Sequence, residues 1–213
     1  MPLRTWSFFP PAVLTFFLLF AAPVLFAQQE PPPIEAEEWF DFEATPYSPG
    51  DMAFTIKLGV IFPTVFWGDL YDDPQYGQRH NLSLGGTGSL VFDRFLTPNI
   101  FFGGQISGTF APTLARESML FMVPFGVRLG YQFVFQRFEV PISLMAGMAN
   151  QMIGDASYFG PILKPGASLF WRFNPDWSFG LNAVWWFVPQ FPSERPAVYG
   201  NFMTVTLSFR YHF

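Results

Sequence analysis

The sequence predicts an all-β protein, an eight-stranded antiparallel up-and-down barrel that crosses a membrane, and three observations carry that reading. Hydrophobic residues make up 50% of the 213 positions, aromatics 21% and charged residues 13%, with 30 Phe. Soluble domains carry about 25% charged residues, so the material for a conventional wet surface is missing. Beyond the first 30 residues no apolar run reaches the ~20 residues that a membrane helix requires, which excludes a helical bundle. From Met52 onward the chain falls into eight segments of alternating apolar and polar residues. A closed barrel is the one arrangement in which strands satisfy every backbone group inside lipid. The net charge of −5 argues against nucleic acid, which demands a cationic surface. The absence of cysteine removes disulfides, thiolate catalysis and a lipid-anchored cysteine.

The segments run, in order, 52–64, 81–95, 100–111, 118–135, 138–152, 157–173, 177–190 and 202–213. Side chains of a strand alternate between its faces, so each segment has one apolar face. In the fourth, Met119, Phe121, Val123, Phe125, Val127, Leu129, Tyr131, Phe133 and Phe135 share a face without a polar interruption. That stripe is longer than soluble strands usually sustain. In the seventh, Trp177, Phe179, Leu181, Ala183, Trp185 and Phe187 do the same, and aromatics gather near strand ends as at a membrane–water boundary. A lipocalin-like soluble barrel would need the opposite polarity, apolar inside and polar outside. The connections alternate between tight ("LTPN" at 96–99, "QR" at 136–137, "NPD" at 174–176) and longer (67–80, 112–117, 153–156, 191–201). Short turns at one rim and longer loops at the other are what an up-and-down barrel requires, and an even strand count puts both ends at the short-turn rim.

Two segments precede the barrel. Arg4, the apolar stretch "AVLTFFLLFAAPVLFA" and the small Ala27 read as a secretion signal over residues 1–27. Residues 28–51 carry seven carboxylates (Glu30, Glu35, Glu37, Glu38, Asp41, Glu43, Asp51), three consecutive prolines and no basic residue. Such a stretch cannot bury enough apolar surface to fold alone, and is expected to be a disordered periplasmic tail. Docking of Glu37, Glu38 or Asp41 against Arg172 or Arg210 at the lower mouth is its expected contact with the barrel.

The chain ends "MTVTLSFRYHF". Its alternation, with Tyr211 and a terminal Phe213, resembles the C-terminal signal by which the barrel-assembly machinery recognises outer-membrane proteins. That resemblance implies the machinery as a partner and Tyr211 and Phe213 as the assembly signal. Residues 52–213 as a whole resemble the small eight-stranded outer-membrane class, including OmpW-like proteins and the OmpA transmembrane domain. The resemblance implies residence in the outer membrane with both termini periplasmic.

Parity sends Lys57, Arg128, Lys164, Arg172 and Arg210 inward, with His212 at the bottom, against two inward acids, Asp93 and Glu139. Parting one buried charge from its partner costs about 3–5 kcal/mol, so several uncompensated cations would rival the stability of a whole fold. The numerous small inward residues (Gly59, Gly126, Gly130, Gly147 and Gly180 among them) offer room for water and counter-anions. The favoured reading is therefore a narrow passive channel or ligand conduit with a cation-lined, anion-attracting lumen. Pro124, Pro161 and Pro165 add a candidate lateral opening for apolar solutes, because proline cannot donate to a ladder and a closed barrel has no free edge. The resemblance to OmpW-like proteins, which are thought to work this way, points in the same direction. A break is expected between the fifth and sixth strands.

A structural or adhesin-type barrel without transport is the alternative, although the longest loop has about 14 residues and binding faces of this kind usually need long ones. A lipid-modifying enzyme ranks below both. His80, within reach of Ser83, Ser157 and Asp155, has outward parity and matches no acylhydrolase spacing. Asp69, Asp72 and Asp73 lack the regular ligand spacing of a calcium loop. No cofactor or metal is expected.

Overall fold

The alternating segments become eight strands that close in sequence order. The computed structural model describes residues 46–68, 81–114, 118–154, 156–192 and 196–213. The strands are β1 (Met52–Trp67), β2 (Gly85–Phe95), β3 (Ile100–Pro112), β4 (Met119–Phe135), β5 (Phe138–Ile153), β6 (Ala156–Arg172), β7 (Trp177–Gln190) and β8 (Val198–His212). Each pairs antiparallel with its sequence neighbour, and β8 returns to β1 to close the barrel. Even the shortest, β2 with 11 residues, meets the ~9–11 that a tilted membrane-spanning strand requires. The segment 1–27, the carboxylates Glu37, Glu38 and Asp41, the aspartates at 69, 72 and 73, and the candidates His80 and Asp155 lie outside the described residues.

The period of two sorts the side chains. Along β4, Phe121, Val123, Phe125, Val127, Leu129, Tyr131 and Phe133 are exposed, while Met122, Arg128 and Gln132 between them are buried. The same inversion of a soluble barrel recurs in β7 and β8, where exposed Leu181, Trp185, Leu207 and Phe209 alternate with buried Asn182, Trp186, Ser208 and Arg210. A lipid-facing exterior follows, and the lipocalin-like polarity is excluded.

The strand ends depart from the periodicity where neighbours supply what the segment itself does not. β8 starts at Val198, four residues before the apolar alternation, because Val198 and Tyr199 find partners in Gln190 and Pro189 and Tyr199 stacks on Phe187. β1 runs on past Thr64 to Trp67 by shifting register between Pro63 and Phe66. β2 starts later than expected, at Gly85, and Leu82 holds only an isolated bridge to Thr113. The β5–β6 connection, expected among the longer ones, is tight. Ile153 pairs with Ala156, and Gly154 takes φ +56°, a conformation that favours glycine.

Inward glycines set the spacing of the wall. Gly126 of β4 faces Gly147 of β5, and a Cβ on either would meet the other's Cα at 2.6 Å. Gly126→Ala or Gly147→Ala should destabilise the barrel by about 1–3 kcal/mol, the usual range for overpacking. The check is the urea midpoint for loss of the compact, heat-modifiable form. Gly108→Ala is the control, since its Cβ would meet nothing within 4 Å and the midpoint should stay where it is.

Candidate functional site

The interior is layered along the barrel axis, and the layers begin at the short-turn end. Glu139 stands just after the Gln136–Arg137 hairpin on β5, which places its carboxylate inside the wall and fully buried. It receives two guanidinium groups, Arg172 Nε at 3.1 Å on one oxygen and Arg210 Nη1 at 3.1 Å on the other. Arg210 also donates to Gln132 Oε1 (3.1 Å) and Thr55 Oγ1 (3.3 Å), and its guanidinium lies 3.7 Å from the centre of the Phe170 ring. His212 Nε2 is 2.7 Å from Ser178 Oγ. Into this cluster comes Tyr47, from the segment that precedes β1. Its hydroxyl donates to the Glu139 carboxylate (2.9 and 3.0 Å to the two oxygens) and lies 2.9 Å from His212 Nδ1. Burial, then the Glu139 charge, pushes the Tyr47 phenol up to about 12, so at neutral pH it stays protonated and able to donate.

The middle layer holds the other three inward cations. Arg128 forms an ion pair with Asp93, donates through Nε to Ser143 (3.2 Å) and lies over Phe101. Lys164 Nζ donates to Ser107 Oγ (2.9 Å) and sits 3.9 Å above the Trp186 ring. Lys57, equally buried, stands in register between Ser89 of β2 and Ser208 of β8. Neutral hydrogen bonds fill the remainder, with Ser89 to Ser107 at 2.8 Å, Ser168 to Asn182 at 2.7 Å and Asn182 to Ser208 at 2.9 Å.

Above this the bore turns apolar. Ile61, Met122, Met145, Ile162, Trp186 and Phe202 form one buried cluster across it. Over the cluster, at the long-loop end, lies a cup of about 330 Å³ lined by Phe66, Leu82, Leu120, Val188 and Phe202, with Asn81, Gln151 and Gln190 as polar members.

Parity therefore brings Lys57, Arg128, Lys164, Arg172 and Arg210 into one bore, but the room expected around them goes to side chains. A Cβ at Gly130 would overlap the ring of Phe101, and one at Gly180 the ring of Phe170. The small residues accommodate inward aromatics, which in turn lie under Arg128 and Arg210. Eight strands enclose a space just wide enough for side chains to fill, and here they fill it.

The three prolines are spread around the wall. Pro124 is inward on β4, paired with Ala149 of β5. On its other side the β3–β4 ladder skips from Ile106↔Phe125 to Thr109↔Met122. Pro161 and Pro165 pair with Met148 and Leu144 of β5, and that ladder continues to the Ile153↔Ala156 turn. The break expected there lies one strand over. The β6–β7 ladder runs from Arg172↔Ser178 to Gly166↔Val184, skips around Pro165, and makes its last pair at Leu163↔Phe187. N–H groups of successive residues point to opposite neighbours in an antiparallel sheet. Prolines four apart therefore both omit a donor toward the same strand, here β7. Among the described residues one side-chain contact spans this open stretch, and a second ties β7 to β5 behind it. The Phe191 backbone N–H donates to Tyr158 Oη (2.8 Å), and Gln190 Nε2 donates to Gln151 Oε1 (2.6 Å).

Tyr47, Trp186 and Gln151 carry no strand-face signal that singles them out. The hint for Tyr47 is the turn-forming "PYSPGD" immediately ahead of the first strand. Glu139→Gln would leave Arg172 and Arg210 facing a neutral amide, and should cost about 3–5 kcal/mol, as breaking a buried pair does. Denaturant unfolding in detergent would measure it, and a loss below 1 kcal/mol would mean that water reaches this cluster.

A protein-family model matches residues 34–211. An "uncharacterized protein" of Treponema pallidum (strain Nichols) is 31% identical over 134 residues, covering 61% of this chain and 60% of its own length. Another, from Borreliella burgdorferi, is 24% identical over 159 residues, covering 65% and 74%. The chain thus spans about three fifths of the first relative. Among solved structures, Neisserial surface protein A aligns with a TM-score of 0.56 at 10% identity, over 77% of this chain and 97% of that one. OprG from Pseudomonas aeruginosa aligns at 0.49 and 10% identity, over 78% and 97%. The chain belongs to the family whose model spans residues 34–211, and its fold is that of the small eight-stranded outer-membrane β-barrels.

Proposed function

We propose that the protein is an outer-membrane conduit, not an enzyme, in which a small apolar solute enters the cup at the long-loop end and leaves sideways into the bilayer between β6 and β7. The reading rests chiefly on one observation, that the β6–β7 ladder stops at Leu163↔Phe187 beside an apolar-lined cup. Parting two strands inside lipid is normally prohibitive, because each unpaired N–H or C=O costs several kcal/mol. Pro161, Pro165 and Pro189 have no N–H to leave unpaired, so this seam is cheaper to open than any fully laddered one. In this reading the long loops face outward and both termini lie in the periplasm. Residues 1–27 direct export, residues 28–51 form a periplasmic tail, and Tyr211 and Phe213 are the part that the assembly machinery reads.

The second reading is an anion path along the bore. Five inward cations against two carboxylates favour it. An anion taking that route would have to displace Trp186 and pass the pairs that Asp93 and Glu139 make. In planar bilayers, small anion-selective steps that vanish when Lys57, Arg128, Lys164 and Arg210 become alanine would favour the bore over the seam.

The seam is tested by fastening it. A Pro161→Cys/Pro189→Cys pair joined by a short bifunctional thiol reagent should slow uptake of N-phenyl-1-naphthylamine by cells whose lipopolysaccharide-bearing outer membrane displays the protein. A link between Asn150→Cys and Phe159→Cys, across the laddered β5–β6 wall, should leave uptake unchanged. Equal uptake with the seam linked would sink the lateral route.

A further inference from the structure

We propose that the short-turn end of the barrel carries a binding site for an aromatic hydroxyl group, and that Tyr47 occupies it as a tethered ligand. The site is built by the wall alone, from Phe95 of β2, Glu139 of β5, Arg172 of β6 and His212 of β8, whereas its occupant belongs to no strand. Every part of the phenol is addressed. The ring stacks on Phe95 with centroids 3.7 Å apart and planes 10° from parallel, and the Arg172 guanidinium lies 4.8 Å from the ring centre. The hydroxyl is held between the Glu139 carboxylate and His212 Nδ1, and the residue is 4% exposed. A benzyl group would satisfy the stack but lose the hydroxyl's bonds to Glu139 and its contact with His212 Nδ1, leaving these groups only their arginine partners, so the chemistry favours a phenol over a plain aromatic ring.

The tether explains how the ring is delivered. Ser48 to Asp51 form a turn, with Gly50 at φ +104°, Asp51 N–H donating to the Ser48 carbonyl (3.1 Å) and Ser48 N–H to Asp51 Oδ2 (2.7 Å). The turn hangs on the end of β2 by two backbone bonds, Gly50 N–H to the Phe95 carbonyl and Phe95 N–H to the Asp51 carbonyl, each 2.8 Å. The chain therefore enters over the rim and drops one side chain into the bore. Withdrawal of that side chain does not dismantle the seat. Glu139 keeps Arg172 and Arg210, His212 keeps Ser178, and Phe95 still packs on Phe101. A cavity of about 210 Å³ adjoins the ring, bounded by Pro46, Asp51, Arg172, Asp176 and His212, and gives it a way out. Seated, Tyr47 closes the polar layer of the bore to the solution at this end.

The chain has no cysteine, so a single Thr55→Cys reports access to the fully buried layer just inside the seat. In the full chain folded in detergent, adding Tyr47→Ala should make that thiol react with sulfonatoethyl methanethiosulfonate about tenfold faster, a shift of some 1.4 kcal/mol in the free energy of opening. Millimolar p-cresol should restore protection and toluene should not. Tyr47→Phe, which keeps the stack and loses the hydroxyl, should label at an intermediate rate and keeps the test alive if the alanine variant fails to give a heat-modifiable barrel. Labelling of Tyr47→Phe at the wild-type rate would remove the hydroxyl from the recognition. Fast labelling of Tyr47→Ala that ignores p-cresol would reduce Tyr47 to a cork and overturn the site, and unchanged labelling of both variants would overturn the closure as well.

Discussion

The rest of this structure depends on the requirement that no backbone N–H or C=O be left unpaired against lipid. It forces eight strands to close, β8 onto β1, and so removes the free edges of the sheet. Closure with a period of two then divides the side chains between two solvents that are both unlike water. The outer set faces acyl chains and is almost wholly apolar. The inner set holds most of the strands' polarity, and among the described residues it receives five cations and two carboxylates. Their compensation follows from geometry. Each carboxylate takes at least one arginine, and four of the cations (Arg128, Lys164, Arg172 and Arg210) lie over aromatic rings.

Filling so narrow a bore requires small and large residues to alternate around it, and the glycines do that work locally. Gly130 lies under Phe101 and Gly180 under Phe170, so a missing side chain on one strand becomes the slot for a ring from its neighbour. The ring then presents its face to a guanidinium. Glycine, aromatic and arginine thus form one motif that recurs twice, at Gly130–Phe101–Arg128 and at Gly180–Phe170–Arg210. It makes a charged layer tolerable in a space with little water, because the ring quadrupole supplies what a second carboxylate would otherwise supply.

Strand number, faces and the inward direction of the cations were legible in the sequence, because alternation is a local property that each strand displays alone. What glycine positions contain was not. An absent side chain looks the same whether water or a neighbour's ring fills the space, and the answer depends on register with another strand. The placement of the proline break failed for a related reason. Pro161 and Pro165 announce two missing donors, but whether those donors would have pointed to β5 or to β7 depends on the hydrogen-bonding phase of β6, which alternation does not reveal. Tyr47 was illegible for a third reason. It lies outside any periodic segment, in a stretch whose composition reads as tail, and its burial comes from contacts with residues 48 to 165 positions away, Phe95 and His212 among them.

The two ends of the bore are closed by opposite chemistries, and that asymmetry bears on direction. At the short-turn end Glu139, two arginines, His212 and a phenol form a polar seal. At the long-loop end the closure is apolar, and the buried cluster beneath the cup includes Trp186, whose ring carries Lys164 at 3.9 Å. In the conduit proposed above, an apolar solute resting on that cluster would have two exits besides the one it came by. Going down, it must separate a buried ammonium from its ring and then pass groups that lose their hydrogen bonds to it, at a cost of several kcal/mol for each charge stripped of its partner. Going sideways, it would meet β6 and β7 above Leu163, where the ladder has already ended and the Phe191–Tyr158 bond spans the stretch, with Gln190 held to Gln151 of β5 behind it. Two neutral hydrogen bonds, worth about 0.5–1.5 kcal/mol each, weigh less than one stranded charge. In the lateral route proposed above, the cation-rich layer below the cup would act as a floor to apolar molecules, and the interior charges would serve that route without lining it.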